Sequence, residues 1–411
     1  MLSDDLPQPP SPAPSLLARR MTSLTGSTIR QMLEVATRPG MISFAGGLPP
    51  VEAFDLEGIR TAVIEALQRH PADCLQYGTT SGARPLREAL CELMSGRGMP
   101  LDPGGLMVTT GSQQAIALIG EAVLNPRDIV ALERPSYPAS IGMARLRQAG
   151  IITAACDSDG IDVAELECRI RRAQPKLLYL VPTFGNPSGA VLSLDRRVRI
   201  LELAVRYGFL ILEDDPYSEL YFDTPPPPPL ISLARHIPAA AQHCAYCSTL
   251  SKIVAPGFRV GWLVAPPEIL RAAEVIKQGQ DAHTSTLAQH AAIAYLQSGR
   301  LARHLPRLRA LYRGRAEAMM AAIETHMGGS LDYAAPQGGM FLWARLCSQI
   351  HAGLLFEAAL QRDVAFLPGE SFMAESPDPS TMRLSYAAPD AVHIQEGIAR
   401  MAAALKGILQ C

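Results

Sequence analysis

Lysine is scarce in this chain of 411 residues: four of its 37 basic residues are lysines, and the other thirty-three are arginines. Long hydrophobic runs are missing as well, since none approaches the roughly 20 apolar residues of a transmembrane helix. The net charge at pH 7 is only −2, which gives no reason to expect nucleic acid or a membrane as a partner. A Gly-x-Gly-x-x-Gly motif after a strand and a Walker A loop are both absent, so a nucleotide-binding dehydrogenase has no support.

The overall composition is that of an ordinary globular protein, with 48% apolar and 18% charged residues. Eight cysteines are scattered along the chain, which fits a reducing compartment better than a disulfide framework. The N-terminus is acidic and then proline-rich, unlike the basic and apolar start of a signal peptide. We therefore expect a cytoplasmic protein.

Two of the cysteines, Cys244 and Cys247, form a Cys-x-x-Cys pair. A zinc site would need a second pair or histidines in register, and only His243 is adjacent. We interpret the pair as small residues of a buried strand and expect no metal site.

Composition and periodicity divide the chain into four segments. Residues 1–24 are a tail rich in proline and serine, which we expect to be disordered, and residues 25–54 form an N-terminal arm. Residues 55–290 form a large domain, in which alternating apolar runs and helical stretches predict an α/β fold with a mostly parallel sheet. Residues 291–411 form a smaller α+β domain. The expected strands cover 106–108, 129–132, 177–181 and 209–212, and the expected helices cover 55–69, 84–95, 113–124, 138–148, 161–173 and 193–207.

Three local features carry further expectations. A helical pattern begins at about Thr28 and ends near Pro39. The five prolines from Pro225 to Pro229 predict a polyproline surface loop. In the long helical region after residue 285, we expect Pro306 to break or open a helix.

Lys252 has the most informative neighbours of the four lysines. An arginine cannot lose its proton in a protein, whereas a lysine in apolar or cationic surroundings can do so and form a Schiff base with a carbonyl. Lys252 follows the hydroxyls of Thr249 and Ser251 and precedes Arg259. The alternative is a leftover surface lysine. The hydroxyls and the arginine describe a phosphate cradle beside an amine, which points to pyridoxal phosphate (PLP).

A second set of phosphate donors is expected at Ser112 and Gln113, where a strand is followed by the start of a helix. Backbone N–H groups and the helix dipole favour an anion there. Serine is also a common N-cap, so this signal gains weight only beside Thr249, Ser251 and Arg259.

Other polar or aromatic residues follow the expected buried strands. Asp214 and Tyr217 lie at the carboxyl edge of the sheet, where a carboxylate can pair with a pyridine nitrogen, although a solvated acidic turn is an even alternative. Asn186 can donate to a cofactor oxygen or belong to a plain turn. Tyr137 can stack on a ring or simply pack. Arg383 can bind a substrate carboxylate or lie on the outer face of an edge strand.

In order and spacing, these motifs resemble the fold-type I, class I aminotransferases over nearly the whole chain from about residue 25. The likeness is closest to the subgroup of 2-aminoadipate, kynurenine and broad-specificity 2-oxo acid aminotransferases. Ser188 stands where threonine is usual in this subgroup, and it keeps the hydroxyl. The matching segments are Ser27–Arg30, Ile42–Pro49, Thr109–Ala115, Asn186–Gly189, Glu213–Tyr217, Ser248–Arg259 and Arg383–Ala387.

The resemblance implies a PLP-dependent aminotransferase with an aspartate aminotransferase-like fold, in which residues 55–290 bind PLP and the arm contains a substrate segment. The reaction would move an amino group between an L-amino acid (2-aminoadipate, glutamate, aromatic or branched-chain) and a 2-oxo acid by a ping-pong mechanism. The implied catalytic residues are Lys252, Asp214 and Tyr217. The implied cofactor-binding residues add Ser112, Gln113, Tyr137, Asn186, Thr249, Ser251 and Arg259, with Tyr77 from the second subunit of a homodimer. The implied substrate-binding residues are Arg383, Asn186, Gly46, Gly47 and Arg30.

Two alternatives stay open from the sequence. The same scaffold supports PLP-dependent lyases, decarboxylases and racemases, so the fold does not settle the reaction. Arg30 can bind a distal substrate carboxylate, which would favour 2-aminoadipate or glutamate, or it can be a surface arginine of a helix.

Overall fold

The computed structural model describes residues 16–22, 38–348 and 350–410. The expected tail disorder and the helix expected from Thr28 therefore fall mostly on residues 1–15 and 23–37, outside the described residues, and so does Arg30. Within the expected tail, Arg19–Thr22 forms one helical turn.

The described strands belong to three sheets. In chain order they are β1 (Ile42–Ser43), β2 (Leu106–Thr109), β3 (Ile129–Arg134), β4 (Gly150–Asp157), β5 (Gly160–Ile161), β6 (Leu177–Leu180), β7 (Leu210–Asp214), β8 (Cys244–Thr249), β9 (Gly261–Val264), β10 (Leu331–Tyr333), β11 (Phe341–Leu346), β12 (Val364–Ala365), β13 (Leu367–Pro368) and β14 (Thr381–Ser385).

The described α-helices pack around these sheets. They are α1 (Arg19–Thr22), α2 (Leu56–Arg69), α3 (Pro71–Leu75), α4 (Arg84–Ser95), α5 (Ser112–Val123), α6 (Pro138–Leu146), α7 (Val163–Ala173), α8 (Leu194–Tyr207), α9 (Leu230–Leu233), α10 (Pro267–Gln280), α11 (Thr286–Gln297), α12 (Arg300–Met327), α13 (Ala352–Leu360) and α14 (Ala391–Leu409).

The large sheet has eight strands in the order β2-β9-β8-β7-β6-β3-β4-β5. Strands β4, β3, β6, β7 and β8 run parallel to their neighbours in this series, which confirms the predicted mostly parallel sheet. β9 is antiparallel to both β2 and β8. Because the parallel strands β6, β7 and β8 end at one edge, the residues that follow them meet there.

The second sheet is antiparallel, with the order β10-β11-β14-β13. A separate parallel pair joins β1 to β12, so Ile42 lies opposite Val364 and Ser43 opposite Ala365. This pairing ties the N-terminal segment to the C-terminal part of the chain and delivers residues 44–47 to the gap between the two larger sheets.

The buried guanidinium of Arg197 in α8 shapes the loop that follows β6. It donates hydrogen bonds to the carbonyl of Pro182 and the hydroxyl of Thr183, both at 2.9 Å, and it lies 3.5 Å from Glu213. Burial raises the pKa of Glu213 to about 7, although the arginine opposes this shift. The hydrogen bonds to Pro182 and Thr183 hold the start of this loop, which contains Asn186, against α8.

Pro306 does not break a helix, contrary to the sequence-based expectation. It lies inside the continuous helix α12, and the chain turns instead at Gly299, whose φ is 67°. Pro306 and Ala302, whose carbonyl loses its usual N–H partner, are both exposed. Water can therefore satisfy that carbonyl, and the cost of the proline is small at this position.

The five prolines from Pro225 to Pro229 have no regular secondary structure, in agreement with the predicted loop. No helix in the part of the chain that the structure describes is both long and apolar enough to cross a membrane.

Candidate active site at the carboxyl edge of the sheet

A cavity of about 710 Å³ lies at the carboxyl ends of β6, β7 and β8 and extends to β14 of the second sheet. Twelve residues singled out from the sequence line it: Gly47, Ser112, Gln113, Tyr137, Asn186, Asp214, Tyr217, Thr249, Ser251, Lys252, Arg259 and Arg383. Gly46 is buried beside Gly47 but is not part of the lining. Tyr77 is 84% exposed and lies outside this cavity, with its ring edge-on to His283.

Lys252 closes the short 3-10 turn that follows β8. Its Nζ donates a hydrogen bond of 2.9 Å to the carbonyl oxygen of Gly47. Burial, with the positive charges of Arg383 and Arg259, lowers the pKa of Lys252 to about 8. A substantial fraction of this amine is therefore neutral near physiological pH, which a nucleophile or a base requires. This position rules out the alternative that Lys252 is a leftover surface lysine.

Asp214 ends β7 and is only 2% exposed. The hydroxyl of Tyr179 donates to its Oδ2 at 2.7 Å, and the thiol of Cys247 lies 3.5 Å from its Oδ1. Burial raises the pKa of Asp214 to about 6, while these two donors act against that rise. The carboxylate is thus buried, oriented and ionised at neutral pH, and the solvated acidic turn is excluded.

Sequence analysis did not identify Tyr179 or Cys247 as a partner of Asp214. Tyr179 lies inside β6 and Cys247 inside β8, and both strands are fully buried. The polar atom of each side chain is therefore buried as well. A buried tyrosine hydroxyl needs a hydrogen-bond partner, so the sequence could have suggested that Tyr179 has one. It could not have shown that this partner is Asp214.

The start of α5 and the segment after β8 form a cradle of donors. Gly111 precedes α5 with φ at 79°, and a Cβ there would lie 2.6 Å from Nη2 of Arg259. Arg259 donates to the carbonyl of Thr110 at 3.3 Å and lies 3.5 Å from the hydroxyl of Ser251. The hydroxyls of Thr249 and Ser251 are 2.8 Å apart. Helix N–H groups, hydroxyls and a guanidinium therefore converge, and this donor set fits a phosphate.

Arg383 lies on β14, between β11 and β13, and its side chain is buried. The alternative, that Arg383 lies on the outer face of an edge strand, is therefore wrong. Its Nη1 donates to Oδ1 of Asn186 at 2.7 Å, and its Nη2 donates to the carbonyl of Ala45. Its Nε is buried without a partner among the described residues. A buried, unpaired N–H beside the cavity fits a carboxylate ligand, because an unsatisfied donor is costly.

Two aromatic rings pack against this guanidinium, and neither was identified from the sequence. The centroid of Phe341 is 4.2 Å from Cζ of Arg383, and that of Phe372 is 4.9 Å away. Burial lowers the pKa of Arg383 only to about 10, so it stays charged at neutral pH. Phe341 also packs edge-on against Tyr217 and would lie 2.5 Å from a Cβ at position 47, which is why glycine is required there.

Tyr137 and Tyr217 complete the wall of the cavity. Burial raises the pKa of both hydroxyls above its ordinary value, so both remain protonated donors. The hydroxyl of Tyr137 lies 3.4 Å from Oε1 of Gln113.

The described residues include no group of three or more histidines, cysteines or acids arranged to hold a metal ion. Cys244 and Cys247 lie in the fully buried strand β8, as the sequence predicted.

Comparison with known proteins agrees with this geometry. The family described as aminotransferase class I and II matches residues 40–401. Aromatic-amino-acid aminotransferase 1 of Thermococcus litoralis is 37% identical to this chain, and the match covers 98% of this chain and 97% of the relative. 2-Aminoadipate transaminase of Thermus thermophilus is 39% identical, and the match covers 94% of this chain and 95% of the relative. The crystal structure of kynurenine aminotransferase from Pyrococcus horikoshii with PMP superposes with a TM-score of 0.91 at 36% identity, covering 96% of this chain and 98% of that one.

These similarities extend over the two sheets and the cavity between them, and the donor set of the cavity fits the phosphate and the ring of PLP. The chain therefore belongs to the class I and II aminotransferases of fold type I, and it is a PLP-dependent enzyme that transfers an amino group between an amino acid and a 2-oxo acid.

Proposed function

We propose that Lys252 is the residue that carries the chemistry of this transamination. The observation behind the proposal is the position of its amine, which borders the cavity near Asp214 and Arg383 and has a pKa of about 8. When bound, PLP supplies an electron-withdrawing ring that stabilises negative charge at the substrate α-carbon. Nζ of Lys252 removes the proton from that carbon and holds it for return.

The other residues of the site would bind PLP and orient it. Asp214 presents a negative charge to the pyridine nitrogen, and Tyr179 and Cys247 keep it ionised. Asn186 and Tyr217 bond the ring oxygen, and Tyr137 stacks on the ring. The phosphate is held by Ser112, Gln113, Thr249, Ser251 and Arg259.

The substrate α-carboxylate is bound by Arg383, whose Nε is unpaired. The segment with Gly46 and Gly47 closes over the substrate and excludes water. Bidentate binding of a carboxylate by a guanidinium fixes the α-carbon relative to Lys252, and this orientation is a large part of catalysis.

We propose that the donor is an amino acid with a large apolar or aromatic side chain, with 2-aminoadipate and glutamate accepted through Arg30. Apolar residues dominate the lining of the cavity, among them Leu48, Met143 and Phe341. In the described part of that lining, the cation left without a proposed role is Arg147, which is already paired with Glu121 at 3.0 Å. A distal carboxylate would therefore need another cation.

We also propose a cytoplasmic homodimer with shared active sites, in which Tyr77 reaches the phosphate of the partner subunit. Leu48, Val51, Leu75 and Tyr77 are all strongly exposed in the single chain, and contact with a second subunit would bury such large side chains. The division into an arm at 25–54, a PLP-binding domain at 55–290 and a small domain at 291–411 belongs to the same proposal.

Replacing Lys252 with alanine should reduce turnover by about 10²-fold or more, because the general base is lost. Purified wild-type protein should be yellow with PLP, bleach with glutamate or 2-aminoadipate, and regain its colour with 2-oxoglutarate. The exposed lysine variant Lys406→Ala is the control and should behave like the wild type. Substantial transamination by Lys252→Ala, in a folded protein, would disprove the assignment.

The pKa of Lys252 gives a pH prediction for the cofactor-free protein. Only the neutral amine reacts with a carbonyl, so the rate of PLP incorporation should rise with pH and level off above about 8. Arg383→Leu removes a positive charge that favours the neutral form, so the midpoint should move to higher pH. Stopped-flow absorbance measures the rate, with Arg147→Leu as the control. An unchanged midpoint in Arg383→Leu would contradict the proposed coupling.

If Arg30 binds the distal carboxylate of a dicarboxylic donor, its loss should impair the reaction of such donors only. Arg30→Ala should lower kcat/KM for 2-aminoadipate and glutamate by about tenfold or more, the usual scale for a lost charged hydrogen bond. For phenylalanine and leucine the change should stay within about twofold. Arg38→Ala is the matched control. An equal loss on both donor classes, or no loss, would show that Arg30 does not bind a distal carboxylate.

A shared active site can be tested by mixing two impaired variants. In a heterodimer of Tyr77→Ala with Lys252→Ala, one site combines the intact Lys252 of the first chain with the intact Tyr77 of the second. Mixing after mild dissociation should therefore raise activity above the sum of the two variants at limiting PLP. If Tyr77 served its own subunit, mixing would bring no gain.

A further inference from the structure

Lys277 is a buried lysine for which the proposed mechanism has no use. It lies in the last turn of α10 and its side chain is fully buried, although the chain uses arginine for nearly all its other positive charges. Its Nζ donates to Oε1 of Gln114 at 2.9 Å, to the carboxylate of Asp281 at 2.9 Å and to the hydroxyl of Thr284 at 3.2 Å. An ammonium has three N–H groups, so three partners satisfy it completely.

The partners of Lys277 reach directly into the loop before α5. Oε1 of Gln114 also accepts the backbone N–H of Thr110 at 2.8 Å. The carboxylate of Asp281 accepts the hydroxyl of Thr110 at 2.9 Å and the amide group of Gln114 at 2.8 Å. The carbonyl of the same Thr110 accepts a hydrogen bond from Arg259. The hydroxyl of Thr284 also lies 3.1 Å from that of Thr110, so Lys277 is connected to Thr110 through three residues. Thr110 is two positions before Ser112.

The charges of Lys277 and Asp281 affect how strongly an anion binds in front of the loop before α5. Asp281 places a carboxylate behind the backbone N–H groups that a phosphate would bind. Without a cation beside it, this carboxylate would repel a phosphate dianion. Lys277 neutralises Asp281 at contact distance. A planar guanidinium with five N–H groups does not match three partners grouped around one point, which explains a lysine here.

We propose that Lys277 is a positioning residue for the phosphate end of the cofactor site: it fixes Gln114 and Thr110 and cancels the charge of Asp281 behind the loop. This inference rests on the proposed function, in which Ser112, Gln113 and Arg259 hold the phosphate.

The test compares PLP with pyridoxal, which lacks the phosphate. Dissociation constants for both are measured by absorbance titration of the full-length apoprotein, for the wild type and for Lys277→Met. The variant should bind PLP about tenfold or more weakly, while its affinity for pyridoxal should stay within about twofold. A structural role alone would weaken both ligands equally, and that result, or no loss at all, would overturn the proposal.

Two further variants separate charge from packing. In the Lys277→Met background, Asp281→Asn should restore part of the PLP affinity, because the uncompensated carboxylate is removed. The single variant Lys277→Arg keeps the positive charge but not the fit to three partners, so it should retain only part of the PLP affinity that Lys277→Met loses. A double variant no better than Lys277→Met would refute the charge argument. If Lys277→Met does not fold, Gln114→Ala tests the same connection to Thr110, with the same comparison of the two ligands.

Arg259→Ala distinguishes this inference from the proposed function beneath it. If Arg259→Ala lowers the preference for PLP over pyridoxal and Lys277→Met does not, only the role of Lys277 is wrong. If neither the wild type nor Arg259→Ala shows a preference that depends on the phosphate, the phosphate site itself is misplaced and both proposals fall.

Discussion

Two backbone carbonyls anchor two of the cations that border the cavity. The carbonyl of Gly47 accepts Lys252 from the large sheet, and the carbonyl of Ala45 accepts Arg383 from the second sheet. The segment between them is itself held by the pairing of β1 with β12 and by the hydrogen bond from Ser385 to Phe44. One short stretch of glycine-rich backbone therefore sets the relative position of an amine and a guanidinium that come from sequence positions 131 residues apart.

Burial gives these groups the protonation states that transamination needs. It lowers the pKa of Lys252 to about 8, so that a neutral amine is accessible, and it leaves Arg383 charged. It also raises the pKa of Asp214 to about 6, which Tyr179 and Cys247 limit by donating to the carboxylate. Burial thus disfavours the charged form of all three groups, and the partners of each group decide how far its pKa moves.

The predicted elements and the observed ones agree where local pattern decides the structure. The helices expected at 55–69, 84–95 and 193–207 are present within one residue of their expected ends. Prediction from the sequence missed β4, because its eight residues have weak alternation, and it misjudged Pro306, because solvent exposure removes the penalty that a proline brings. It also said nothing of the antiparallel β9, since strand direction depends on partners far away in the chain.

By itself, the sequence determined the chemical inventory: a lysine among hydroxyls, acids and an asparagine after apolar strands, an arginine on a late strand, and the glycines before them. Residue type and spacing are local properties, so these could be read directly. Only the tertiary structure decided that Asp214 is buried rather than solvated, that Arg383 packs against Phe341 and Phe372, and that Lys277 reaches the loop of Thr110. Burial and partner choice arise from contacts between distant segments, and no local pattern contains them.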